Sequence, residues 1–142
     1  MTLEQAWRSI LNCAEEMNTR YQEVVFDELA IVSIDDTHAR TVSYEGPRKE
    51  AFSDSFPKDS AELRKTVRQG SQNYDAGDFE FSHDGAGTGF EAFMMLGEGL
   101  CLICNNTGKS MGGISSNPRW LEAQVPFAEL GDRFRGNPLA EA

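Results

Sequence analysis

The chain has 142 residues, 39% of them hydrophobic and 10% aromatic, enough for one domain with a core of its own and no need of disulfide or metal staples. Its longest apolar runs, such as Leu100 to Cys104, fall far short of the roughly 20 residues that a bilayer span requires. With 13 Lys+Arg against 23 Asp+Glu the formal net charge is −10, a field that repels phosphate backbones and anionic lipid and argues against nucleic acid or a membrane as partner.

The spacing predicts a first helix over about residues 2 to 18. Leu3, Ala6, Trp7, Ile10, Leu11, Ala14 and Met17 recur at three- and four-residue intervals, and Glu4, Arg8, Asn12, Glu15 and Glu16 take the other side of the wheel. Thr2 with Gln5 has the spacing of a capping box, and Asn18-Thr19 offers a place to stop. An acidic amphipathic start is not a secretory signal. Cys13, Cys101 and Cys104 all stand in apolar context, which suits reduced core thiols in a cytoplasm better than a disulfide framework.

Val24 to Ile34 is rich in β-formers, Asp35-Asp36-Thr37-His38 supplies a turn, and residues 40 to 44 follow as a second strand, so a hairpin is expected. Gly46-Pro47 ends it. The polar connection that follows is long for a compact domain, and its Phe52 and Phe56 either fasten it to the body or face a partner. A short helix is expected from Asp59 to Gln69, with Glu62 three residues after Asp59 and Gly70 at its end. Lys58, Arg64, Lys65 and Arg68 make it the most basic stretch, whereas residues 75 to 98 carry acids and no base.

Residues 77 to 81, 90 to 96 and 100 to 105 alternate or run apolar as three strands, joined by a glycine-rich turn at 84 to 89 and by Gly97-Glu98-Gly99. A Gly- and Ser-rich connection at 107 to 116 leads to a final helix with Asn117-Pro118 as N-cap and first residue, Pro126 as a kink point and Gly136 as its stop. The order is α-β-β-α-β-β-β-α in a single domain over residues 1 to 142. It predicts an α+β fold, a five-stranded antiparallel sheet with helices packed on it and one face free to stay open.

The residues that look chemical have plainer readings. Asn105 to Ser110 (NNTGKS) follows a strand like a phosphate-binding loop, but the required first glycine is Ile103, so Thr107-Gly108-Lys109 reads as a turn. Gly85, Gly87 and Gly89 lead into another strand instead of a helix, which makes them a hairpin tip. Cys101 and Cys104, three apart on an extended segment, face opposite sides and cannot grip one zinc. His38 and His83 sit among carboxylates in polar turns, with no nucleophile arrangement around them. No catalytic residue, cofactor or metal is assigned, and the chain is read as no enzyme. The interaction features that remain are the Trp7 and Trp120 helices and a candidate partner-binding set of Arg64, Lys65, Arg68, Phe52 and Phe56. The basic helix would match either the acidic 75 to 98 region, within or across a dimer, or an acidic partner.

LGEGLCLICNNTGKS at 96 to 110, leading into WLEAQVPFAEL at 120 to 130, together with the order of the segments, resembles the Roadblock/LC7 family. The resemblance implies a small profilin-like α/β dimer that binds and regulates a Ras-like small GTPase or serves as an adaptor in a larger assembly. VVFDELAIVSIDD at 24 to 36 is similar to the acidic type III secretion chaperones, and a sheet of this kind also resembles the ligand-cupping sheet of PAS or GAF sensors.

Overall fold

The computed structural model describes residues 1–34, 39–47, 74–83, 90–108 and 111–140. Helix α1 runs Leu3–Tyr21, opened by the reciprocal cap that its sequence predicts. The Gln5 N–H donates to Thr2 Oγ1 at 3.2 Å, and the Thr2 N–H donates to Gln5 Oε1 at 3.0 Å. The helix passes the expected stop at Asn18-Thr19, because the Thr19 hydroxyl folds back onto the Glu15 carbonyl and is satisfied inside the helix. It ends at Gln22, whose left-handed φ of 67° lets its N–H donate to Asn18 O.

Strands β1 (Glu28–Ile34), β2 (Ala39–Glu45), β3 (Phe79–His83), β4 (Phe90–Gly97) and β5 (Leu100–Asn106) form one sheet in the order β2-β1-β5-β4-β3, every pair antiparallel. The expected hairpin and three-strand meander are both present, with β2 and β3 at the two edges. After β5 come the short helix α2 (Met111–Ser115) and the long helix α3 (Trp120–Gly136). The α+β fold with a five-stranded antiparallel sheet is therefore as the sequence predicts. The helix expected over 59 to 69, the Phe52/Phe56 connection and the turns at 35 to 38 and 84 to 89 lie outside the described residues.

Other element bounds differ as well. β1 starts at Glu28, not Val24. Val25 and Phe26 are buried as a linker whose backbone groups are met by side chains: Asn18 Oδ1 accepts from the Val25 N–H at 2.8 Å, and Asn106 Nδ2 donates to Val25 O at 2.9 Å. β3 starts at Phe79, because Gly77 turns at φ +93°, although its N–H already donates to Met95 O on β4. α2 occupies part of the stretch expected as a connection. Asn117 caps no helix; its Oδ1 accepts from the Arg119 N–H at 2.8 Å in a local turn, and α3 begins at Trp120 without a side-chain cap.

The first face of the sheet, with Leu29, Ile31, Met94, Leu96, Leu102 and Cys104, lies beneath α1 and α3, which contribute Ala6, Ile10, Met17, Phe127, Leu130 and Phe134. Each large apolar side chain buried there stabilises the fold by about 1.5–3 kcal/mol. Phe79, Phe81 and Phe127 form an aromatic knot, with Phe79 edge-on to Phe127 at 5.0 Å. The second face, which the sequence leaves free to stay open, is buried: Ala30, Val32, Phe93, Met95, Cys101 and Ile103 on it are 0–5% exposed, with Ile34, Tyr44 and Tyr74 packed against them. Burial on both faces explains why β5 is apolar without alternation.

Candidate functional site

Arg64, Lys65, Arg68, Phe52 and Phe56 all lie outside the described residues, as do Lys109, His38 and the glycines at 85, 87 and 89. The two tryptophan helices can be compared directly, and the structure separates them. Trp120 is 6% exposed and meets Phe81 edge-on at 5.2 Å and Tyr21 at 6.3 Å, so it belongs to the core.

Trp7 is only half-buried. At about 100° per residue, the buried line of α1 is Ala6, Ile10, Cys13 and Met17, and the flank toward α3 is Ser9, Asn12 and Glu16, which face Pro126, Glu129 and Arg133 across a groove. The opposite flank is therefore the ridge Leu3, Trp7, Leu11 and Ala14, every member half-buried against the core cluster. Val42 of β2 packs on the same cluster. It is the extra residue where the β1/β2 register shifts between Ile31 and Val32, a bulge that turns its side chain toward the helix layer. Outside the ridge stand the exposed Glu4, Arg8 and Glu15, with Arg8 Nη2 3.2 Å from Glu4 Oε1. A second, smaller apolar pair is Leu121 and Val125, one turn apart on α3 and 76% and 42% exposed.

The second face ends in a polar node. Glu28, 1% exposed, accepts from Tyr44 Oη at 2.8 Å and from Asn105 Nδ2 at 2.8 Å, so its two carboxylate oxygens tie β1 to both neighbouring strands. Asn105 Oδ1 is buried with no hydrogen-bond partner. Beside it the loop after β5 is stapled down: Asp27 accepts from both the N–H and the hydroxyl of Thr107, and Asn106 Oδ1 accepts from the Gly108 N–H. These groups, the Thr107 and Gly108 N–H donors among them, are engaged within the protein, and the Asn105 amide lies inside the sheet.

Cys101 lies on the second face and Cys104 on the first, as the pleat requires. Burial pushes the Cys13 and Cys101 thiols up to about 12 and Cys104 well above the ordinary thiol range. Cys13 forms the floor of the α1/α3 groove, whose free volume of about 70 Å³ is well below the roughly 300 Å³ and more of a typical small-molecule pocket. Among the described residues no three His, Cys, Asp or Glu side chains are grouped to hold a metal ion, and no helix is long and apolar enough to cross a membrane. Compared with known protein families, curated proteins and solved structures, the chain has no match.

Proposed function

We propose that this protein is a non-enzymatic, cytoplasmic, homodimeric adaptor or regulator of a Ras-like small GTPase, of the Roadblock/LC7 kind. The observation that carries the reading is the arrangement of the elements. One N-terminal helix, a hairpin, a three-strand meander and one C-terminal helix build a single five-stranded sheet with both long helices on one face. The second face supports it over the ligand-sensor alternative, because side chains fill it where a sensor would cup a ligand. The buried thiols and the stapled stretch from Asn105 to Gly108 also give the described residues a structural role more readily than a catalytic one.

Affinity capture from native cytosol, read by mass spectrometry, tests the proposal. A small GTPase recovered in stoichiometric amount is the expected result. Recovery of an unfolded secretion substrate instead would assign the chain to the chaperone alternative. In parallel, the purified chain should not bind nucleotide tightly by itself: calorimetry with magnesium and ATP or GTP should show no saturable heat, and a saturable signal lost in Lys109→Ala would overturn that expectation.

A further inference from the structure

The outer side of α3 carries the barest apolar surface among the described residues. Leu121 and Val125 are 76% and 42% exposed, and Ala128 beyond them is exposed as well. Residues at i, i+4 and i+7 share one side of a helix, so the three form a single line, turned away from Trp120, Ala123, Phe127 and Leu130 in the core. The core makes no use of a leucine at 121, and this spacing is the seam by which one amphipathic helix packs on another. We propose that the line docks an amphipathic helix of a partner protein, one whose apolar seam is flanked by lysine or arginine. The proposal stands apart from the GTPase reading, because it concerns the chemistry of the docking segment and not the activity of the partner that owns it.

Charge selects that partner. From Trp120 to Asp132 the charged residues are Glu122, Glu129 and Asp132, with no base among them. Asp132 is already paired with Arg135 at 2.7 Å, and Arg135 also reaches Asp78. Glu122 and Glu129 are both exposed, two helical turns apart on the same flank of the line, and neither has an ion-pair partner among the described residues. Bases along one side of a docked helix would meet both, which sets its register and speeds its approach while the apolar seam holds it. A second copy of this chain supplies no such match. Antiparallel pairing of α3 on α3 brings the glutamate flank against itself, and parallel pairing sets it beside Gln124; neither offers an opposite charge, and each copy carries a net −10.

Fluorescence anisotropy of the full chain with a labelled leucine–lysine peptide tests this, the leucines set at heptad positions, beside a scrambled peptide of the same composition. The patterned peptide should bind saturably and the scrambled one about tenfold more weakly. Leu121→Ser should raise the dissociation constant about tenfold, and Glu122→Lys combined with Glu129→Lys should raise it too, more so at low salt. Equal binding of the two peptides, or binding untouched by Leu121→Ser, would mean that positive charge alone is attracted to an acidic protein, and overturns the proposal. No binding of the patterned peptide overturns it as well. Sedimentation velocity of wild type and Leu121→Ser separates the other occupant: self-association lost in the variant would assign the line to a second copy and contradict a foreign helix. Melting curves should coincide for the two proteins because Leu121 is exposed, and a marked fall in the variant would show that the chain itself covers the line.

Discussion

Gly77 and Gly131 press backbone on backbone where the turn before β3 meets α3. A Cβ at Gly77 would stand 2.2 Å from Gly131 O, and one at Gly131 would stand 2.5 Å from Gly77 O. Neither neighbour is a side chain that can swing away. The contact locks the C-terminal helix to the edge of the meander, and Arg135, one turn on, adds a 3.0 Å ion pair to Asp78.

Gly131→Ala follows from that contact with an unusual sign. Alanine is the better helix former by about 1 kcal/mol, so propensity alone forecasts a more stable protein. The clash should win, with a net loss of about 2 kcal/mol and a fall in melting temperature of about 5–10 °C. Calorimetric or circular-dichroism melting measures it, and a raised melting temperature would mean that the two backbones are not in contact.

The buried node at Glu28 should be costly to break from its acidic end. Glu28→Ala leaves the Tyr44 hydroxyl and the Asn105 amide without the acceptor they share, and should cost about 3–5 kcal/mol. Tyr44→Phe removes one donor and leaves the carboxylate its Asn105 bond, costing about 2 kcal/mol. Urea unfolding of both variants gives the order. Equal losses, or a neutral Glu28→Ala, would contradict the carboxylate's place at the centre of the node.

Asp78 titrates below the ordinary aspartate range because the Asp75 backbone N–H donates to its carboxylate and the Arg135 guanidinium pairs with it. A carboxylate held down in the folded state contributes stability above the unfolded aspartate pKa of about 3.9 and loses it as pH falls through the folded value. Asp78→Asn should therefore lower the melting temperature at neutral pH, and the gap to wild type should close below about pH 3.9. A gap that stays constant with pH would show that the side chain acts by shape alone.

The three thiols should be inert in the folded protein, since burial holds Cys13 and Cys101 near 12 and Cys104 higher still, leaving almost no thiolate at neutral pH. A chromogenic disulfide reagent should label none of them within minutes in native buffer and all three in denaturant. Fast native labelling of Cys13, the one at the floor of the groove, would show that α1 and α3 part readily.

Much of the fold was legible because local patterns agreed with the tertiary structure. The three- and four-residue rhythm of α1, the Thr2/Gln5 cap, the meander and the opposite facing of Cys101 and Cys104 all follow from geometry within a few residues. The start of β1 was not legible. Val24, Val25 and Phe26 have strand-forming side chains, yet the Val24 and Val25 carbonyls accept from Asn106, some 80 positions away, and the Val25 N–H donates to the Asn18 side chain, so the strand pattern does not reveal a linker. The Gly77/Gly131 contact is hidden for the same reason. Trp7 and Trp120 both sit on amphipathic stripes, and only the knot of Phe81 and Tyr21 around Trp120 shows which one the core takes. The proposed partner-binding residues Arg64, Lys65, Arg68, Phe52 and Phe56 rest on sequence alone.

Direct binding to a purified GTPase tests most directly whether this protein is a GTPase regulator. The GTPase recovered by capture is loaded with GDP or with a non-hydrolysable GTP analogue and titrated with this protein by calorimetry, beside the Arg64→Glu/Arg68→Glu variant. Wild type should bind saturably in at least one nucleotide state, and the variant should bind more weakly, the difference being larger at low salt. Absence of binding in both nucleotide states would contradict the assignment as a GTPase regulator.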